Sequence, residues 1–289
     1  MISYQFMFDR MDGNLSGSAD VSAAQILRHF NFAPLNMTMQ MHMLMVMYAP
    51  LDQLNFTVSV PYLVKDMDML PRDGHRFTEH SDGFGDVELL GTYTVCRAGV
   101  HQFLVKGGLG LPTGSIDASM NGFPLEYIMQ LGSGTVSLRP GFTYLGQAMP
   151  WGWGTDFNST VELGSNRNNY RFGNTYSATG WVARQINSWA SVSIAATGEL
   201  WENVQGADPR LALDDQPTND PDRQGGKRLD ASIGVNLHPK FLRGHQFLVE
   251  GEFPLWQSFD GPNCKGAGFS ASAGNTTSKR PPFSPFLKL

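Results

Sequence analysis

Residues 35–48 read Leu-Asn-Met-Thr-Met-Gln-Met-His-Met-Leu-Met-Val-Met-Tyr, with methionine at every second position from Met37 to Met47. A period of two belongs to an extended strand, whose alternate side chains point to opposite faces; a helix would scatter these six methionines round its whole circumference. The stretch is a β-strand whose two faces meet different surroundings.

The same alternation recurs along the chain. Twelve segments carry it, near 2–11, 36–48, 54–64, 85–95, 101–111, 135–145, 151–163, 175–184, 190–201, 228–237, 245–256 and 266–274. In the third, Leu54, Phe56, Val58, Val60 and Tyr62 oppose Asn55, Thr57 and Ser59. The sixth sets Val136, Leu138, Phe142 and Tyr144 against Thr135, Ser137, Arg139 and Thr143. The seventh sets Trp151, Trp153, Phe157, Val161 and Leu163 against Asp156, Asn158, Thr160 and Glu162, and the tenth sets Leu229, Ala231, Ile233, Val235 and Leu237 against Asp230, Ser232 and Asn236. One face suits lipid and the other water.

The links sort by parity. After segments two, four, six, eight and ten they are short (APLDQ, CRAGV, GQAMP, QINSW, HPKFLRG); after the others they are longer. An outer-membrane barrel has an even number of strands, short turns on its periplasmic side and longer loops outside, whereas a soluble sandwich has no reason to sort its loops. Tyr4, Tyr93, Tyr144, Trp151, Trp153 and Trp189 fall near the expected turns, where interface girdles form. The expected fold is therefore all-β: a single closed antiparallel transmembrane β-barrel of about twelve strands over residues 1–274, with an irregular tail at 275–289. A soluble β-sandwich binding protein is the competing architecture.

Composition sets the bounds. The chain has 289 residues, 16% of them charged and 41% hydrophobic, with 32 glycines; soluble domains usually carry about 25% charged residues. No apolar run approaches the ~18 residues of a membrane helix. A net charge of −5 without a basic stripe argues against nucleic acid. Cys96 and Cys264, the two cysteines, lack metal or redox spacing and fall at opposite ends of the expected barrel, so no disulfide between them is expected. Met1 is followed at once by ISYQFMF, so no export signal precedes the first strand and the chain reads as mature or truncated at its start. In the first long loop Ser22 and Gln25 have capping-box spacing ahead of Ile26, Leu27 and Phe30, which predicts a short helix near 22–30, entering the barrel mouth or covering its rim.

Several stretches carry a resemblance: NMTMQMHMLMVMYAPLDQL (36–54), SDGFGDVELLGTY (81–93), GLGLPTGSID (108–117), MQLGSGT (129–135), GADP (206–209) and DPDRQGGKRLD (220–230). Together they resemble a family of Gram-negative outer-membrane proteins grouped under the meta-pathway of phenol degradation and described as transporters. The resemblance implies a monomeric outer-membrane barrel and an aromatic or otherwise hydrophobic cargo. The chain departs from that family at its ends: no leader precedes the first strand, and KGAGFSASAG lacks a terminal aromatic and runs into NTTSKRPPFSPFLKL, whose prolines cannot extend a ladder. Closure between the first and last strands is thereby put in question.

Local motifs read first as structure. Pro112 in GLGLPTGS ends the fifth strand because it lacks a ladder donor, and Gly114 serves the following turn. The methionine stripe with His42 inside it raises a copper reading at Met39, Met41, His42 and Met43, because thioethers suit Cu(I). Against it, Asn36, Thr38, Gln40 and His42 would be costly facing hydrocarbon. The methionines are therefore expected to face lipid, leaving Leu44, Val46 and Tyr48 on the watery side.

Inward charges are the better functional candidates. Asp86 and Glu88 fall on the inner parity of the fourth segment, Lys106 and Arg139 near mid-height, Asp156 beside them, and Glu250 and Glu252 on the eleventh. Either Lys106 and Arg139 oppose Glu250 and Glu252 across the pore, giving a transverse field that selects polar solutes, or they pair locally with Asp86, Glu88 and Asp156 in a filled interior. The loop from Gly206 carries Asp208, Asp214, Asp215, Asp220 and Asp222, read as solvated or as a cation bridge to lipopolysaccharide. No GxSxG elbow is present, so no enzyme is expected, and no cofactor. The function expected is passive passage of small molecules through the bacterial outer membrane, by a monomer in contact with lipid and lipopolysaccharide; a structural barrel with a plugged lumen is the alternative.

Overall fold

The computed structural model describes residues 1–239, 241–242 and 244–275. Eleven long strands carry the architecture: β1 (Ile2–Gly17), β2 (Phe32–Leu51), β3 (Leu54–Pro71), β4 (Val87–Ala98), β5 (His101–Leu111), β6 (Gly141–Ala148), β7 (Trp151–Leu163), β8 (Thr175–Asn187), β9 (Ala190–Trp201), β10 (Gly226–Leu237) and β11 (His245–Asn275). Each pairs antiparallel with the next in chain order, β7 joins β8, and β11 bridges β10 to β1, so the ladder closes into one barrel. The sandwich expectation fails here: there is one ring, not two facing sheets.

β11 is two passes in one. Following the antiparallel pairings round the ring makes β1 and β10 run in opposite directions, and β11 is antiparallel to both. A straight strand cannot satisfy that. Its first half, Phe247–Phe259, follows β10, and its second half, up to Gly274, follows β1; the chain folds back between them, with Gln257 Nε2 donating to the Gly266 carbonyl at 2.9 Å. The barrel thus has twelve passes, and Ser3 faces Gly274 across the seam. The closure that the carboxyl end put in question is present, and the rest of the proposed tail, 276–289, lies outside the described residues.

The short links β2–β3, β4–β5, β6–β7, β8–β9 and β10–β11 gather at one end, the long loops at the other. At the β4–β5 turn Gly99 adopts φ +58°, a left-handed conformation that a side chain would strain. The outer surface carries an apolar belt, with Val58, Leu89, Val105, Phe142, Ile194 and Ile233 all exposed. Tyr4, Tyr48, Trp151 and Trp189 lie exposed towards the short-turn end. Inward positions of the same strands are small or polar and buried, among them Thr57, Ser59, Thr143, Ser193 and Ser232. The period-two reading of strands three, six, seven and ten matches this arrangement.

Strand β2 corrects one expectation. Its methionines point inward: Met37 is 1% and Met45 5% exposed, whereas Leu44, Val46 and Tyr48 are 49%, 47% and 68% exposed on the outside. Met45 lies across from Ser3 and Ser59, both buried. The reason is length. Twenty residues at ~3.3 Å each far exceed an apolar belt of ~25 Å, so the half of β2 nearer the long loops rises beyond the belt. There an outward polar residue costs little: Asn36 Nδ2 donates to Asp68 at 3.1 Å and Asp66 holds His80 at 2.6 Å. Only the lower half, from Leu44, meets the belt.

Candidate functional site

The barrel wall places most of the proposed charges on its inner face. Lys106 of β5 and Asp156 of β7 reach each other across β6, with Nζ 2.6 Å from Oδ1, and Lys106 also donates to the side chain of Asn158. Arg139, in the break between Val136–Leu138 and β6, pairs with Glu88 at 2.9 Å and donates to Thr160 at 3.0 Å. These are the local pairings. Asp86 does a different job: its carboxylate accepts from Gly114 N (2.8 Å), Ser133 N (2.8 Å) and Ser133 Oγ (2.7 Å), tying down both ends of the loop that links β5 to the next strand. A Cβ at Gly114 would stand 2.7 Å from the Gly132 Cα, so its glycine is required by the close approach of the loop's two ends.

On the other side of the lumen Glu250 and Glu252 of β11 join Asp230, whose inward parity the sequence showed, and two charges that sequence reasoning passed over, Glu199 and Arg228. Arg228 of β10 contacts Glu199 at 2.9 Å, Asp230 at 2.8 Å and Glu252 at 3.1 Å. A cavity of about 90 Å³ lies between this cluster and Asp156. Hydroxyls of Ser177, Thr179 and Thr197 complete its wall. The signal for Glu199 and Arg228 was their inward parity with Asp230, at the ends of strands nine and ten.

The long-loop end is filled from within. The loop 112–135 turns into the barrel, and its Leu125 and Met129 pack on Met37, Met67 and Met69. Lys65 donates to the carbonyls of Ile128 and Gln130, both at 2.7 Å, and Ser81 Oγ to that of Met129. The loop 202–225 braces it: Gln216 Nε2 donates to Glu126 at 2.9 Å, the Asp208 amide to Tyr127 Oη at 3.0 Å, and Arg210 spans Asp208 and Asp117. That loop is accordingly not wholly solvated, since Asp208 is buried. The sequence offered one sign of the plug, the apolar run PLEYIMQL (124–131) in a segment otherwise read as loop.

Burial and the neighbouring Glu126 push Glu79 up to about 9, and burial raises Glu126 above the usual carboxylate range. The hydrogen bond from Asn168, with Arg210 and Arg167 beside it, holds Asp117 below it. The helix at Ala23–Ile26 is capped as the spacing predicts, Ser22 and Gln25 bonding reciprocally, and buries only Ile26, at the rim.

The methionine stripe and its histidine are parted by the strand. His42 lies on the outer face, its Nδ1 2.7 Å from Tyr4 Oη, while Met39, Met41 and Met43 alternate to the inner one. Among the described residues no group of three or more His, Cys, Asp or Glu side chains could hold a metal ion. Both cysteines are free thiols.

No protein-family model matches the chain, and no curated protein matches it. Solved structures do. An outer-membrane channel from Pseudomonas putida F1 superposes with a TM-score of 0.61 at 13% identity, covering 94% of each chain. The NanC porin gives 0.47 at 10% identity over 96% of this chain and all of that one, and a mutant of the TodX monoaromatic hydrocarbon channel 0.46 at 11% over 94% and 89%. The similarity to the first is one of fold, an outer-membrane type of β-barrel.

Proposed function

We propose that this chain is a passive channel of the bacterial outer membrane that admits small molecules through its lumen. The observation that carries the reading is a polar cavity of about 90 Å³ inside a closed barrel whose outside is greasy. An apolar belt of this extent in water would drive aggregation; in hydrocarbon it is satisfied. The P. putida channel of the same fold supports the reading.

Cargo follows from the lining. The resemblance to the phenol meta-pathway family suggests aromatic molecules, and the carboxylates around the cavity favour a cargo with a polar or charged group. Asp86, Glu88, Lys106, Arg139, Asp156, Glu250 and Glu252 are the proposed lumen residues, with Glu199 and Arg228 added from the cavity wall. A second reading, a structural barrel with a closed lumen, is favoured by the inward loop 112–135. Single-channel recording on the folded protein in planar bilayers separates the two. Discrete conductance steps support the channel; correctly folded protein that passes no current removes it.

A further inference from the structure

We propose that the outer face of β7, β8 and β9 holds a phospholipid with an anionic headgroup, its phosphate on Arg184 and an acyl chain in the shallow trough above it.

Charge is the first step. Alternation along β8 turns Val182, Arg184 and Ile186 outward, and all three are exposed. Arg184 lies across from Trp151 of β7 and Val192 of β9, both exposed as well. It is a cation set into the turn-side edge of the apolar belt, with greasy side chains above, below and on either hand. Its guanidinium carbon stands 5.3 Å from the centre of the Trp151 ring, and among the described residues it enters no ion pair. The carboxylates of these strands cannot answer it from outside, since Asp156 and Glu162 are buried inward and Glu199 lines the cavity. An indole face orients a guanidinium without neutralising it, and a charge beside hydrocarbon without a counter-ion is costly.

The membrane supplies the missing anion at this depth. Trp151 and Trp189 mark the interface at the short-turn end, where headgroups lie, and the guanidinium fork matches phosphate oxygens two at a time. A zwitterionic lipid would bring an ammonium that no outward carboxylate of β7 to β9 meets, so an anionic headgroup fits better. A second copy of this chain packed symmetrically on the face would set Arg184 against Arg184 at the same height. Shape provides for the tail. Further from the turns, Gly180 and Ala178 of β8 lie beside Ala196 and Gly198 of β9, and a Cβ at Gly180 or Gly198 would meet nothing within 4 Å. Phe157 lies across from Ala178 and Leu229 across from Gly198, so larger side chains flank this trough. The run from Arg184 to Ala178 is about 20 Å of strand, and barrel tilt reduces it to roughly 15 Å of depth, one leaflet of the hydrocarbon core.

The test uses the full chain, folded in an uncharged detergent, with phosphatidylglycerol, phosphatidylethanolamine and phosphatidylcholine of matched acyl chains as probes in native mass spectrometry. A single phosphatidylglycerol adduct is expected, surviving collisional activation that strips the other two lipids. Arg184→Gln should weaken that binding about tenfold, the loss of a charge-assisted pair. Gly180→Leu, which fills the trough and leaves the charge in place, should weaken it as well. Equal retention of the three lipids, binding unchanged in either variant, or a dimer in place of a lipid adduct overturns the site. If Arg184→Gln does not fold, as judged by loss of heat-modifiable mobility, Arg184→Lys takes its place, and the lipid preference of the wild type decides independently of either.

Discussion

Lys106 Nζ stands 2.6 Å from Asp156 Oδ1, and the two side chains are only 1% and 3% exposed. An ion pair so enclosed is held as a unit, because removing one member leaves the other charged and buried. Lys106→Met should destabilise the folded barrel by about 3 kcal/mol, and the double variant with Asp156→Asn should recover most of that loss. Denaturant unfolding from lipid vesicles, followed by tryptophan fluorescence, measures both. A single variant within ~0.5 kcal/mol of wild type would show the pair to be dispensable.

Ile194 and Ile233 face each other across β9 and β10, 63% and 58% exposed, while Ser193 and Ser232, one residue earlier on each strand, are buried inside. On a lipid-facing surface Ile194→Arg should cost about 2–4 kcal/mol in the same vesicle titration. On a water-facing surface it would be nearly neutral. A cost below ~0.5 kcal/mol would mean that the belt is not in hydrocarbon.

What could be read from sequence, and what could not, divides along one physical line. Leu54 to Tyr62 and Leu229 to Leu237 announced their faces because each lies within the apolar belt, where in and out differ in polarity. Met37 to Met47 did not: the strand leaves the belt part-way, so Asn36, Thr38 and Gln40 are outward yet wet, and parity alone assigned the wrong side. Leu44, Val46 and Tyr48 were the residues that carried the correct sign. The seam between β1 and β11 was hidden for a similar reason, since Gly266, Gly268 and Ala271 pair with β1 through backbone alone and leave little pattern to read. Contacts between loops, such as Gln216 with Glu126, are separated by 90 residues and have no local signature.

Asp86 restrains the loop 112–135 at both ends through Gly114 and Ser133. Hydrogen bonds to a charged acceptor are worth about 1.5–3 kcal/mol each, so Asp86→Ala should raise the released population of the loop more than tenfold. The expected readouts are larger mean single-channel conductance and faster proteolysis within 112–135. Unchanged conductance with faster proteolysis would mean that the loop does not limit the pore.

Glu79 Oε2 and Glu126 Oε1 are buried without a hydrogen-bond donor among the described residues, and the two carboxyl groups neighbour each other, an arrangement completed by one proton between them. Glu79 is pushed up to about 9 by burial and by Glu126. A released loop would return both groups to ordinary carboxylate values near 4.3. Because the docked state has the raised value, it binds the proton more tightly, and its advantage is complete below that ordinary value. The advantage shrinks as pH rises towards 9. Conductance should therefore climb from pH 5 to pH 9 as the loop 112–135 loosens. Glu79→Gln, which keeps a hydrogen-bond donor without a titratable proton, should flatten the climb. Equal slopes in wild type and variant would remove this pair as the cause.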